Sequence, residues 1–280
     1  MRHHDYTLRF GKSDTARVRF TACWHVGNPA CRTKHITELM ENCARHRIPW
    51  VHLGDTIEAI CPLDPRFHME SHSETILQQI NEAAALTMPG RKWLIGCHIG
   101  NHEDKLTRVV GDLTHEYLRQ VFGNDDAVVK EKQLKGATYT HLLCPDGECV
   151  LFSAHGRITC GGGTSDPDRD RLNWRIKLRR RLSEFDANLK VVAHGHRAVI
   201  SPPVTRDVLR SVSGKSEMRE EAVNSAWCAM APSMFAVYDD NDDYPSYPEL
   251  ALMPPTGIGW LEAVIRRDGT VQDVRAEVIR

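Results

Sequence analysis

The chain carries almost no net charge. The formal balance is -1 and the pI lies near 6.9, so no global field draws nucleic acid or an anionic membrane, and an anionic substrate must be attracted by local charge. Long apolar runs are missing as well. Nothing approaches the roughly 18 uninterrupted apolar residues of a membrane span, and Met1 to Val18 lacks the apolar centre of a secretion signal. A soluble, cytoplasmic protein with no membrane partner is expected. Nor is there a disulfide framework: the nine cysteines are odd in number and irregularly spaced, which fits a reducing compartment. Cys144 and Cys149 flank Pro145-Asp146-Gly147-Glu148, but no second pair stands nearby to complete four zinc ligands, so they read as hairpin cysteines. No repeat, linker or low-complexity tract divides the chain. With 280 residues, 41% of them hydrophobic, it can bury a full core, and one domain over 1–280 with insertions is expected.

Five short stretches in fixed order hold most of the information: Cys23-Trp24-His25, Gly54-Asp55-Thr56-Ile57-Glu58, Gly100-Asn101-His102-Glu103, His155-Gly156 and His194-Gly195-His196. Each follows an apolar, strand-like run and offers a metal-binding side chain where that run ends. Arg17 to Ala22 alternates like a strand, Ile36, Leu39, Met40 and Cys43 recur at helical spacing, and Pro49 to Leu53 reads as the next strand. Ile76 to Met88 looks helical, Pro89-Gly90 breaks it, and Lys92 to Gly96 forms a third strand. After a helical stretch from about Leu106 to Val121, Thr138 to Leu143 and Cys149 to Ser153 form a hairpin pattern around Pro145-Asp146-Gly147. That turn to antiparallel pairing predicts two packed sheets rather than one doubly wound sheet. The glycine run Gly161-Gly162-Gly163 reads as a loop, a basic helix follows from about Arg169 to Phe185, and Leu189 to Ala193 is a strand ending at His194. A last hairpin is expected through Asp268-Gly269.

Hydrolysis of a phosphate ester needs charge neutralised on the equatorial oxygens, a nucleophile ionised at neutral pH, and a proton for the leaving oxygen. Two metals about 4 Å apart supply the first two. A carboxylate can bridge such a pair, and Asp55 is the candidate, with histidines and one amide oxygen completing the shells. His102, beside Asn101, could donate the proton if Glu58 holds its ring.

In these motifs the chain resembles the calcineurin-like metallophosphoesterases, whose pattern runs Asp-x-His, Gly-Asp-x-x-Asp, Gly-Asn-His-Asp/Glu, a lone His, then Gly-His-x-His. The matches span His25 to His196. The resemblance implies an α/β fold, a four-layer α/β/β/α sandwich with two mixed sheets. It implies a hydrolase acting on a phosphoester, more a phosphodiesterase than a phosphomonoesterase, through a metal-bridging hydroxide. By the same resemblance His25, Asp55 and His196 hold the first metal, while Asp55, Asn101, His155 and His194 hold the second; His102 is the general acid and Glu58 fills the last acidic position of the second motif. Two departures stand out: Ala193 replaces a glycine, and Cys23 replaces the first Asp. A thiolate ligand at Cys23 favours zinc or iron over manganese or magnesium, whereas an ordinary buried cysteine leaves the first site weakened. The two cofactor ions are therefore expected to be divalent or trivalent: zinc, iron or manganese. The stretch from His155 to Asn173, with Tyr244 to Tyr247 and Pro254-Pro255, loosely resembles a phage and prokaryotic branch of the family.

Other residues have plainer readings. His52 and His98 fall inside strand-like runs and read as core residues or supports for the ligands. His3 and His4 lie near a terminus, where disorder is the expectation. His68 and His72 share a helical spacing but lack a third ligand. Along the basic helix, Arg171, Arg175 and Arg179 align as a nucleic-acid face would, yet a solvated helix packing its apolar side on the sheet accounts for the same letters and suits the neutral overall charge better. The acidic stretch Asp239 to Asp243 lacks calcium-loop spacing. Two rivals follow: a nuclease on DNA or RNA, and a scaffold of the same fold that has lost a catalytic metal.

Overall fold

A computed structural model describes residues 2–62, 64, 66–67, 69, 74–157, 164–212, 215–238 and 256–279. In chain order the described elements are β1 (Arg2–Thr7), β2 (Thr15–Thr21), α1 (Thr33–His46), β3 (Trp50–His52), α2 (Ile76–Thr87), a 3-10 helix (Met88–Trp93), β4 (Leu94–His98), α3 (Asn101–Val110), α4 (Leu113–Phe122), α5 (Asp126–Lys132), β5 (Gln133–Lys135), β6 (Ala137–Cys144), β7 (Gly147–Ala154), α6 (Pro167–Leu182), β8 (Leu189–Val192), β9 (Val199–Ser201), β10 (Val204–Val212), β11 (Lys215–Asn224), β12 (Trp227–Met230), β13 (Ile258–Arg266) and β14 (Val271–Ile279).

The period-two pattern decides the layers. Val18, Phe20, Val51, Leu53 and Ile95 point from one sheet into a shared core with Leu142, Leu151, Leu189 and Val191 of the other. Trp50 and Leu94 point the opposite way, onto Ile36, Leu39 and Met40 of α1, Ile80 of α2 and Tyr117 of α4. On the far side, Leu178 and Leu182 of α6 cover Phe152, Val192 and Met230. These three cores separate four layers, α/β/β/α, as expected. One sheet runs β14-β13-β2-β3-β4-β5 and the other β1-β6-β7-β8-β12-β9. Both are mixed: β2, β3, β4 and β5 are parallel while β13 is antiparallel to β2, and β7, β8 and β12 are parallel while β6 is antiparallel to β7. Parallel strands deliver their carboxyl ends to one edge of the sandwich, and all five motifs follow there.

Several expectations change. The stretch from Leu106 to Val121 is two helices, because Gly111 takes φ +89° and Asp112 caps the next helix through the His115 N–H. The third strand begins at Leu94, since Lys92 and Trp93 finish the 3-10 helix. His3 and His4 are ordered: β1 pairs in parallel with β6, and His4 is buried. The ribbon β10–β11 carries no apolar periodicity and was not expected; its pairs run Arg206 to Glu221 and Arg210 to Glu217. Along the basic helix, Arg175 is exposed and Leu178 and Leu182 are buried, so α6 packs its apolar side on the sheet. No described helix is long and apolar enough to cross a membrane. His68, His72, the glycine run, Asp239 to Asp243, Tyr244 to Tyr247 and Pro254-Pro255 lie outside the described residues.

One buried charge cluster ties the sheet edge together. Glu262, 1% exposed, accepts from Arg19 Nε at 2.8 Å and Arg275 at 2.6 Å, and Arg19 also donates to Asn42 at 2.8 Å. Glu262→Gln leaves Arg19 buried without its counter-charge and is expected to cost about 3 kcal/mol in urea unfolding. Burial pushes the Glu262 pKa up, but the bonds and charge of Arg19 and Arg275 outweigh it and bring it below the ordinary 4.5. The stabilisation is therefore complete above about pH 4.5 and is lost as pH falls through the lowered value. The variant should lack that acid-limb contribution, and an identical pH profile would remove the cluster from the account.

Candidate metal centre

The loops that carry the motifs are stitched together by backbone bonds before any side chain is considered. Cys23 N donates to the Gly54 carbonyl, Trp24 N to that of Asp55, Val26 N to that of Thr56 and Glu58 N to that of Val26. Ala193 N donates to the His155 carbonyl, and Met234 N to that of Cys23. Glycines permit the closest approach: a Cβ on Gly54 would lie 2.7 Å from Gly100 N, and one on Gly100 would lie 2.1 Å from Asp55 Oδ1.

Glu103 fastens this junction. Its Oε1 accepts from Thr56 N at 2.6 Å and Ile57 N at 3.2 Å, and its Oε2 from Gly100 N at 3.0 Å. The Gly54-Asp55 and Gly100-Asn101 turns thus share one buried carboxyl. Burial, then the charge of Asp55, push the Glu103 pKa up to about 7. Sequence reading placed Glu103 in the motif without giving it work; the spacing of three from Gly100 at a helix start was the available signal.

The side chains converge. Cys23, His25, Asp55 and His196 each bring a ligand atom within 4.8 Å of the others, as do Asp55, His155 and His194. Asp55 belongs to both groups: its Oδ2 lies 3.2 Å from His155 Nε2 and 3.9 Å from His25 Nε2. Asn101 Oδ1 sits in the second group, 2.7 Å from His194 Nδ1 and 2.9 Å from His155 Nε2. His25 Nε2 and His196 Nε2 are 3.3 Å apart. Crowding several nitrogen, oxygen and sulfur donors in this way, largely buried, is the arrangement that two cations would hold together, and the residues fit such a pair.

The backbone is bent to achieve it. Cys23 (φ +51°), His25 (+53°), Asp55 (+53°), His194 (+72°) and His196 (+50°) all adopt the left-handed region. Non-glycine residues visit that region rarely and at a cost of roughly 1–3 kcal/mol each, and such strain gathers at functional sites.

The remaining contacts orient the ligands. His155 Nδ1 donates to the Leu53 carbonyl at 2.8 Å, which leaves Nε2 for the centre. His25 Nδ1 pairs with Glu58 Oε2 at 2.8 Å. His102 Nδ1 bonds the Glu58 carbonyl, while the Glu58 carboxylate is 3.8 Å away. Glu58 thus holds the His102 ring through its main chain and uses its carboxylate on His25. Since a carbonyl only accepts, the His102 proton is on Nδ1 and Nε2 presents a lone pair. The His102 N–H donates to Asp55 Oδ1 at 2.9 Å, which fixes that carboxylate. Phe235, which no motif singles out, packs against His25 and His196 at ring separations of 5.2 and 5.9 Å.

Electrostatics favour a cation here. Burial pushes the Asp55 carboxyl up, but His155, His102 and His25 outweigh it and hold the group well below the carboxylate range. Burial disfavours charge on His25 and His155, yet Glu58 and Asp55 respectively raise both. Desolvation, then the charge of His25, lower His196 to about 3, and desolvation with His155 lowers His194. These two rings therefore keep lone pairs for a metal. Burial raises the Cys23 thiol, so ligation there would require a cation to displace the proton.

His98 and His52 are both buried outside the ligand groups. His98 joins Lys135 O at 2.9 Å to Ser153 Oγ at 2.8 Å across the two sheets. His52 packs on Trp24 at a tilt, with centroids 4.4 Å apart and 43° between the planes.

No family model and no curated protein matches the chain. Among solved structures it is similar to a conserved uncharacterized protein of Streptococcus pneumoniae TIGR4 described as a predicted phosphoesterase, with 10% identity over 95% of this chain and 98% of that one and a TM-score of 0.34. It is also similar to wild-type Vps29 of Entamoeba histolytica complexed with zinc (11% identity, 94% and 98% covered, TM-score 0.41) and to a metallophosphoesterase of Sphaerobacter thermophilus (12%, 94% and 88%, TM-score 0.37). Two of the three carry phosphoesterase descriptions. Likenesses at these TM-scores carry no argument for what this chain does.

Proposed function

We propose that the chain is a calcineurin-like metallophosphoesterase that hydrolyses phosphoesters with two metal ions, diesters in preference to monoesters. One observation carries the reading: five candidate ligands held in left-handed backbone converge, with Asp55 common to both ligand groups.

Cys23, His25, Asp55 and His196 would hold one cation, and Asp55, Asn101, His155 and His194 the other. When bound, the pair neutralises charge on the phosphate and ionises water at neutral pH. The protein does the rest. Glu58 orients His25, the Leu53 carbonyl orients His155, and the His102 N–H steadies Asp55. His102, fixed through Nδ1 by the Glu58 carbonyl, keeps Nε2 available and, once protonated there, supplies the proton to the departing oxygen. Burial and the nearby His25 lower the His102 pKa, which makes its protonated form a strong acid.

The test is hydrolysis of bis(p-nitrophenyl) phosphate and p-nitrophenyl phosphate after chelation, titrated with zinc, iron and manganese. Metal-dependent turnover, faster on the diester, is expected. No turnover with any metal would leave a scaffold of this fold, and a faster monoester would reverse the preference. α6 packs Leu178 and Leu182 on the sheet and leaves Arg171 and Arg175 exposed, so the nuclease alternative has its own test: charge reversal at Arg175 and Arg179 weakens polynucleotide binding and spares small substrates if it holds.

A further inference from the structure

Between Glu58 and α2 the chain passes Asp64 and Arg66, outside all five motifs, and returns a cation to the centre. Arg66 Nη1 lies 3.4 Å from His102 Nε2. The rest of the guanidinium is tethered: Nε donates to Asp64 Oδ1 at 2.9 Å and Nη2 to Asp64 Oδ2 at 2.8 Å, while the Arg66 backbone N–H donates to the same carboxylate. Two parallel bonds to one carboxylate fix the plane of the guanidinium, so the third nitrogen is aimed at a chosen point.

That point has chemical meaning. His102 Nδ1 carries its proton toward the Glu58 carbonyl, so Nε2 is an acceptor and Arg66 Nη1 is its donor. The same Nε2 must face the leaving oxygen if His102 gives up a proton. A phosphate seated between His102 and the two ligand groups therefore comes within reach of Arg66, and an anionic phosphate oxygen is a stronger acceptor for a guanidinium than a neutral ring nitrogen.

We propose that Arg66 is a phosphate-binding residue: as substrate enters, Nη1 exchanges His102 Nε2 for a non-bridging phosphate oxygen, which seats the phosphate and frees the Nε2 lone pair to take up from water the proton that it then passes to the leaving oxygen. The inference rests on the phosphoester reading of the site. Asp64 acts through Arg66 as a positioning residue.

The experiment compares wild type, Arg66→Ala, Arg66→Lys and Asp64→Asn, all manganese-loaded. It measures KM for bis(p-nitrophenyl) phosphate and, by calorimetry, the dissociation constant of inorganic phosphate. Arg66→Ala is expected to raise both roughly ten- to a hundredfold, the loss of a hydrogen bond to a charged group, with metal content unchanged. Arg66→Lys keeps charge without the fork and should recover part of the loss, and Asp64→Asn should fall between. Unchanged KM and phosphate affinity in both Arg66 variants would overturn the assignment. If wild type hydrolyses no phosphoester with any metal, the enzymatic reading fails separately, and phosphate calorimetry still decides the role of Arg66.

Discussion

Asp55→Asn is expected to empty both metal positions together, taking metal content from about two ions per chain toward none. Asp55 is the carboxylate common to both ligand groups, and its pKa is held low by three surrounding histidines. An amide has nearly the same shape, so the bond from the His102 N–H to Oδ1 can persist and the fold should survive. What disappears is the negative charge and the second oxygen, which are what allow one side chain to serve two cations. Elemental analysis of dialysed protein, with thermal unfolding as the control for folding, reads the result. Loss of a single ion would assign Asp55 to one position only and end its bridging role.

His102→Ala should do the reverse, keeping both ions and losing turnover by about a hundred- to ten-thousandfold, the usual contribution of a positioned general acid. The ring packs edge-on against His25, with centroids 4.6 Å apart, but its Nδ1 is committed to the Glu58 carbonyl and it belongs to neither of the two groups that share Asp55. Its backbone N–H, which holds Asp55, survives the substitution. The loss should be steeper for an alkyl leaving group than for nitrophenolate, because nitrophenolate departs as an anion without a proton. Undiminished hydrolysis of both kinds of ester would take His102 out of the mechanism.

Much of the fold is readable in the letters because apolar alternation and the motifs occur in the same places. Val18 and Phe20, or Val51 and Leu53, mark strands facing a second sheet, and each strand stops where a candidate ligand begins. The hairpin through Gly147 announces antiparallel pairing and hence two sheets. The ribbon β10–β11 stayed hidden because it buries little and alternates charge instead of hydrophobicity. β1 was hidden because Arg2-His3-His4-Asp5 is polar and gains its order only from a partner, β6, more than 130 residues away. The helix break at Gly111 is local chemistry that the helical spacing on either side masked.

At the candidate site, residue identities were legible and conformations were not. Nothing in the letters shows that Cys23, His25, Asp55, His194 and His196 adopt left-handed backbone, since that depends on loops bonded across the sheet edge. The division of labour in Glu58, carbonyl to His102 and carboxylate to His25, is likewise a matter of three-dimensional geometry. Arg66 has no motif around it and becomes visible only through its distance to His102.

Crystals soaked with manganese or zinc and measured at the metal absorption edge test the central claim most directly. Two anomalous peaks about 4 Å apart should flank Asp55, one among Cys23, His25 and His196 and the other among Asn101, His155 and His194. Peaks confined to other parts of the surface, or none beside Asp55 at saturating metal, would contradict it.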